Sequence, residues 1–140
     1  MIEVLAAAAI VSMGATAMVS LSATLMLQEE MANRVAVTRN YQECMVRLWQ
    51  LGLSPVQITA LMPSQDQNAV LQQALQGTPA LVQTGITNVP SNLGSFAMET
   101  ARCTTVVNAS QDPRVESAGA SFTITAHRPR LPIELRPAAP

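Results

Sequence analysis

The 140-residue chain contains no lysine, and only four of its residues are aromatic. All eight basic residues are arginines and the net charge is −1, so neither a nucleic-acid surface nor a highly charged tail is indicated. The scarcity of rings also argues against a base-stacking platform for single-stranded nucleic acid. We therefore expect no direct nucleic-acid partner, and a core built from Leu, Val, Ile, Ala and Met.

Residues that carry out chemistry are few, since the chain has one histidine and two cysteines. These do not form the clustered ligand set that a metal site needs, and we expect no metal and no cofactor. Glu99 and Asp112 have no recognisable partner for acid–base work, and no nucleophile triad or Gly-rich phosphate loop is evident. We expect His127 to be an exposed strand residue. The sequence predicts a protein that is not an enzyme.

Charge is absent from residues 4–28, and one carboxylate, Glu3, comes directly before them. At about 1.5 Å per residue, a helix of this length crosses a hydrocarbon layer of about 30 Å. No basic residue precedes the run, which is also longer than the roughly 7–15 apolar residues of a secretory signal, so we expect a retained helix. A carboxylate at its apolar end is costly to desolvate unless a cation meets it. This combination predicts a segment that is inserted in a membrane at one stage and packs against copies of itself at another.

Proline and glycine are missing from residues 29–51, so the helix is expected to continue to a stop at Gly52. Apolar residues recur here at spacings of three and four, namely Val37, Tyr41, Cys44, Met45, Leu48 and Leu51. The sequence predicts one helix of about fifty residues. Its first half is apolar all round and its second half is amphipathic.

Two short helices are predicted within residues 54–76. Ser54 and Pro55 supply the N-cap and the first-turn proline of the first helix. Ser64 and Gln67 form a capping-box pattern for the second helix, which a glycine closes.

A change to period two and to β-branched residues then predicts an antiparallel sheet. The expected strands lie near residues 80–88, 95–108 and 118–127. In the last strand, Phe122, Ile124 and Ala126 share one face, and Thr123, Thr125 and His127 share the other. A proline-rich tail follows at residues 128–140. The fold class is α+β.

The opening Met1-Ile2-Glu3-Val4-Leu5, the uncharged helix that becomes amphipathic, and the small antiparallel sheet together resemble the type IV pilin and type II secretion pseudopilin family. The resemblance implies a hydrophobic stalk helix over residues 1–28 and an extracytoplasmic head domain over residues 29–140. It further implies cleavage by a prepilin peptidase, methylation of the N-terminal residue (here Met1), residence in the inner membrane, and export by inner-membrane assembly machinery. The glutamate of the family usually lies a couple of residues deeper than Glu3. Many members also have a stalk-kinking proline, which is missing from residues 1–53 here.

Glu3 is the predicted assembly residue, because an apolar filament core would require a cation beside it. By resemblance, that cation is the N-terminal amine of a neighbouring subunit. The residues predicted to pack in the filament core are Val4, Leu5, Ile10, Val11, Gly14, Met18, Leu21 and Leu25. Small residues among and beside them allow close helix approach.

Cys44 and Cys103 are a candidate disulfide. In an extracytoplasmic compartment the pair would close a loop of about sixty residues and stabilise the head by roughly 4 kcal/mol. Two separate buried thiols are the alternative.

These features predict the structural subunit of a type IV pilus-like homopolymer, first held in the inner membrane and then part of an extracellular filament. A pseudopilin of a type II secretion system is one alternative. A monomeric, membrane-anchored extracytoplasmic binding protein is another, with Glu3 at the headgroup boundary. A transmembrane enzyme or sensor subunit would need a polar cluster in the head, which the sequence does not reveal.

Overall fold

A computed structural model describes residues 2–92, 94–109 and 119–130 of the chain. The chain divides into two compact units, residues 1–33 and residues 34–140, which we call the stalk unit and the head unit. One long helix, α1 (Ile2–Gln50), forms the described part of the stalk unit and the first element of the head unit. The predicted helix of about fifty residues is therefore confirmed.

Helix α1 ends where the sequence predicts. Gly52 has a φ of 106°, a left-handed conformation that glycine adopts without the steric cost of a side chain. Helix α2 (Pro55–Leu61) follows, then a single 3₁₀ turn (Gln65–Gln67) and helix α3 (Ala69–Ala74).

The caps of the short helices agree only in part with the sequence analysis. Ser54 caps α2 as predicted: its Oγ accepts from the Gln57 N–H at 3.3 Å, and Gln57 Oε1 accepts from the Ser54 N–H at 2.9 Å. The capping box predicted for Ser64 and Gln67 is wrong, since Ser64 makes no side-chain cap hydrogen bond. Asn68 caps α3 instead, and its Oδ1 accepts from two first-turn N–H groups at 3.0 and 3.2 Å. Because residues 65–67 form a 3₁₀ turn, the helix starts later, at a residue that caps as well as serine does.

Three antiparallel strands form one sheet in the order β1-β2-β3. They are β1 (Ala80–Ser91), β2 (Gly94–Val106) and β3 (Ser121–Pro129). The predicted α+β layout is confirmed: a long N-terminal helix packs on a small antiparallel sheet, with short helices between them in the chain.

The core of the head unit lies between α1 and the inner face of the sheet. Its buried side chains come from α1 (Met45, Val46, Trp49), from α2 (Ile58) and from the sheet (Ala101, Cys103, Ala126). The alternation predicted for β3 is confirmed, because its even-numbered residues 122 to 128 are turned inward and its odd-numbered residues, His127 among them, are exposed. Helix α1 and the sheet thus bury one face each, and no residue among 2–92, 94–109 and 119–130 buries the odd-numbered face of β3.

The buried face of α1 differs from the predicted apolar stripe. Leu51 is 77% exposed and Cys44 is also exposed, whereas the polar residues Thr38 and Gln42 are buried. Thr38 Oγ1 donates to the Ala74 carbonyl at 3.1 Å, and Gln42 Nε2 donates to the Cys103 carbonyl at 2.8 Å. Polar groups that find such partners can be buried at little cost. Because they are buried, the face of α1 that is turned towards the sheet includes Thr38 and Gln42 and differs from the stripe that apolar residues alone would define.

A buried ion pair joins the end of β3 to β2, and its arginine also hydrogen-bonds to the end of α1. Arg128 Nε donates to Glu99 Oε2 at 2.8 Å, and the two side chains are 11% and 3% exposed. The Arg128 guanidinium lies 4.3 Å from the Trp49 ring centroid and donates to the Trp49 and Leu53 carbonyls. Arg128 is thus an ion-pair partner of Glu99, which the sequence pattern did not indicate. A cation at a helix C-terminus and over an aromatic face is favourable on both counts.

Candidate functional site: the apolar stalk helix

The uncharged part of α1 exposes apolar side chains on every side. All residues from 6 to 30 are exposed. Seven large apolar side chains are more than 70% exposed, namely Val4, Ile10, Val11, Met13, Met18, Val19 and Met26. Monomers that are soluble in water rarely show so large a contiguous apolar surface. Such a surface marks a region that lipid or another protein chain covers.

The residues predicted to pack in a filament core lie on this surface wherever the structure describes them. Gly14 is exposed, and Leu21 and Leu25 are 61% and 56% exposed. Met1 and the side chains of Glu3 and Leu5 lie outside the described residues. Packing against other copies stays a prediction for all of them.

Hydroxyl groups interrupt the apolar surface, but four of them donate hydrogen bonds to helix carbonyls. The four donors, each reaching a carbonyl three or four residues earlier, are Ser12 to Ala9 (2.9 Å), Thr16 to Met13 (2.9 Å), Ser20 to Ala17 (3.0 Å) and Thr24 to Ser20 (2.6 Å). A hydroxyl bonded in this way needs no water, so its cost of entering an apolar environment is lower. The segment is therefore more apolar in effect than its composition indicates.

Small residues give the helix places where another helix can approach closely. They are Ala6 to Ala9, Gly14, Ala15 and Ala17. A Cβ added at Gly14 would meet nothing within 4 Å, so no contact within the described chain requires glycine there. Small residues on an apolar helix are typical of helix–helix contacts in membranes.

By length and composition alone, α1 between Ala6 and Gln50 is a candidate membrane span, and none of its most apolar 18-residue window is buried. One long apolar N-terminal helix is in this sense a candidate membrane anchor.

The candidate disulfide between Cys44 and Cys103 is wrong, because the structure does not bring the two residues together. Both are free thiols, Cys44 exposed on α1 and Cys103 buried in the core of the head unit. The apolar stripe placed Cys44 on the inner face, and the true inward face runs through Gln42 and Met45 instead. The alternative expectation was two separate buried thiols; Cys103 is buried as expected, but Cys44 is exposed. Burial raises the pKa of the Cys103 thiol to about 11.

The head unit offers one recess with mixed lining, formed by Arg39, Gln42, Glu43, Phe122, Thr123 and Ile124. The Arg39 guanidinium lies 4.9 Å from the Phe122 ring centroid there. Within residues 2–92, 94–109 and 119–130, no group of three or more His, Cys, Asp or Glu side chains is placed to hold a metal ion.

No protein-family model matches the chain, and neither a curated protein nor a solved structure matches it.

Proposed function

We propose that this chain is the structural subunit of a type IV pilin-like extracellular filament and that it polymerises through residues 4–28. The observation that carries the proposal is the exposure, on every side, of an uncharged helix in which Ser12, Thr16, Ser20 and Thr24 donate to carbonyls of the same helix. The sequence resemblance to pilins adds to this observation. In the membrane, lipid covers the helix; in the filament, the same helices of neighbouring subunits cover one another.

The energetics favour a filament that is hard to dissociate. Full burial of one large apolar side chain stabilises by about 1.5–3 kcal/mol, at about 25 cal/mol per Å² of apolar surface. Seven side chains that are more than 70% exposed therefore correspond to more than about 10 kcal/mol gross per subunit. Association opposes this with an estimated 4–15 kcal/mol of lost translational and rotational freedom. The surplus is large once each helix touches several neighbours.

Glu3 has a specific role in this proposal. Its backbone belongs to α1, at the start of the apolar run. A carboxylate there is costly in an apolar core unless it is paired, and removing one partner of a buried pair costs about 3–5 kcal/mol. We infer that the N-terminal amine of a neighbouring subunit pairs with it. The pair then fixes how far an incoming helix slides along its neighbours.

A second candidate is a monomeric, membrane-anchored extracytoplasmic binding protein. The candidate span in α1 favours it, and the recess around Arg39 and Phe122 is where its ligand would bind. A secretion pseudopilin is a narrower variant of the main proposal, since it polymerises by the same helix into a short periplasmic fibre. Self-association distinguishes the monomeric binding protein from the two filament-forming candidates. The length and location of the fibre distinguish the pilus subunit from the pseudopilin.

The substitution Glu3→Ala tests the proposal, with Glu29→Ala as the matched control. Glu29 is an exposed carboxylate on the same helix, just past the uncharged run. Cells producing each variant are sheared, and the released filaments are counted by electron microscopy and quantified by immunoblot. We expect Glu3→Ala to lower the amount of filament at least tenfold, with the subunit retained in the membrane, and Glu29→Ala to leave it near the wild-type level.

Normal filament from the Glu3→Ala variant would refute the role of Glu3. The wild-type chain discriminates the candidate functions. Surface filaments favour the pilus subunit, short fibres that stay in the periplasm favour the pseudopilin, and a subunit that remains monomeric after detergent extraction favours the anchored binding protein.

A further inference from the structure

Strand β1 is an edge strand that the described part of the head unit leaves uncovered. Residues 82–88 are all exposed, and the apolar side chains of Val82 and Ile86 are 56% and 49% exposed. Among the described residues, only β2 forms hydrogen bonds with β1. The chain carries no charge between Asp66 and Glu99, so β1 lacks the charged side chains that usually discourage pairing at an edge.

The opposite edge, β3, is protected. The side-chain amides of Gln42 and Gln50 on α1 donate to the Phe122 and His127 carbonyls of β3, at 3.0 and 3.3 Å. Strand β3 also ends in the inward-turned Arg128, and an inward-pointing charge is one device by which proteins blunt sheet edges. In the described part of the head unit, β1 is therefore the more open edge of the sheet.

We propose that β1 is an interaction edge that pairs with β1 of a second copy of this chain, the two strands running antiparallel about a two-fold axis. A second copy presents the same open edge, so a sheet that two copies share through that edge joins β1 to β1. Such a contact is isologous and closes after two chains, giving one six-stranded sheet. Main-chain hydrogen bonds supply the attraction, as in other strand additions, and no like charges oppose it.

Side chains on β1 fit this partner. Val82 lies opposite Arg102 of β2, on the face of the sheet turned away from α1, and Ile86 lies opposite the buried Glu99 on the other face. Pairing of two β1 strands would therefore cover apolar surface on both faces of the sheet. The register shift between Gln83 and Gly85 and the proline at position 90 limit the paired stretch to a few residues on either side of the axis.

This inference does not depend on the proposed filament. A two-fold contact cannot repeat between successive subunits of a polar helical filament. In a cell that makes filaments, it would join two antiparallel filaments side by side, or two subunits that are still in the membrane.

Disulfide trapping of the full chain in detergent micelles tests the pairing. The Cys44→Ser background removes the exposed thiol and keeps the buried Cys103. Single cysteines are then placed along β1 at Ala80, Val82, Thr84, Thr87 and Val89. The matched control is Thr125→Cys, an exposed threonine on the outward face of β3. Because a residue near the two-fold axis lies beside its own symmetry mate, we expect at least one β1 cysteine to give tenfold more covalent dimer than Thr125→Cys under mild oxidation.

A charge substitution provides the second arm. In the most strongly trapped β1 variant, we expect Thr87→Lys (or Val82→Lys, if position 87 carries the cysteine) to lower the dimer yield to the control level, and Thr125→Lys to leave it unchanged. Dimer yields at all β1 positions no higher than the control would overturn the proposal, as would a yield that the added lysine does not affect. Association through the stalk would raise all yields alike, which the Thr125→Cys control detects.

Discussion

The stalk unit and the head unit share one helix, α1, but differ in what covers it. In the head unit the helix buries Met45, Val46 and Trp49 against the sheet of the same chain. In the stalk unit, Met18 is 74% exposed, and no described side chain from residue 6 to residue 30 is buried. Backbone hydrogen bonds form the helix in both units, so the difference lies in the environment that each half requires. The head half of the helix has its partner within the chain, whereas the described side chains of the stalk half are exposed.

The largest effect should come from a charge placed in the stalk half of the helix. We expect Met18→Asp to lower membrane insertion and filament yield about a hundredfold, because a carboxylate near the middle of an inserted helix costs about 2.5–3.5 kcal/mol. Val70→Asp is the control, since Val70 is a 55% exposed apolar residue in the first turn of α3, where an acidic residue is favourable. Alkaline extraction of membranes and quantification of sheared filament measure both quantities. If Met18→Asp and Val70→Asp lowered membrane insertion and filament yield equally, the stalk unit would not differ from the head unit in its need for an apolar environment.

The next largest effect concerns the stability of the head unit, where a buried arginine is compared with an exposed one. We expect Arg128→Met to lower the free energy of unfolding of the head by about 3–5 kcal/mol, because it leaves the buried Glu99 carboxylate without its partner at 2.8 Å. Arg47→Met is the control, since Arg47 pairs with Glu43 at 3.5 Å while 75% exposed and should change stability by less than about 0.5 kcal/mol. Urea unfolding in detergent, followed by the fluorescence of Trp49, gives both values. A loss below about 1 kcal/mol for Arg128→Met would mean that the ion pair does not stabilise the contact between β3 and β2.

The smallest effect concerns the buried thiol and appears only at high pH. Burial raises the pKa of Cys103 from 9.0 to about 11, so the unfolded chain loses this proton first as the pH rises. The stabilising contribution is complete below about pH 9 and is lost as the pH rises towards 11. We expect the free energy of unfolding to fall more between pH 8.5 and pH 10.5 in the wild-type chain than in Cys103→Ala. The extra fall corresponds to a pKa difference of about one to two between the folded and the unfolded chain. Parallel pH profiles for the two chains would contradict the assignment to Cys103.

Much of the fold follows from periodicity alone. Helix α1 is predicted by its twenty-five uncharged residues, by the absence of proline up to Leu53 and by the glycine at position 52. The three strands are predicted by segments with period-two alternation. The inward series of β3, from Phe122 through Ala126, continues by two residues to Arg128. Extending that alternation would have turned Arg128 inward, as a potential partner for Glu99. The signal was present in the sequence, but the predicted strand ended at residue 127 and wrongly left Arg128 in the proline-rich tail, whereas β3 continues to Pro129.

Other features depend on tertiary partners that sequence patterns do not specify. Thr38 and Gln42 can be buried because they donate hydrogen bonds to the carbonyls of Ala74 and Cys103, respectively. Those carbonyls belong to residues far along the chain. An apolar stripe cannot report such bonds, so it placed Cys44 inside and suggested a disulfide that the structure does not form. The cap at Asn68 was missed for a related reason: several residues of that loop can cap a helix, and the 3₁₀ turn before it decides which one does.

The apolar half of α1 is the part of the molecule whose partner matters most, and imaging can identify that partner directly. Cells that produce the chain are sheared, and the released material is examined by cryo-electron microscopy with helical reconstruction. We expect filaments in which residues 4–28 of neighbouring copies pack around the axis, with the carboxylate of Glu3 beside the amine of another subunit. Density that places this segment in a bilayer, or directs it away from the axis of any polymer, would show that lipid alone covers it.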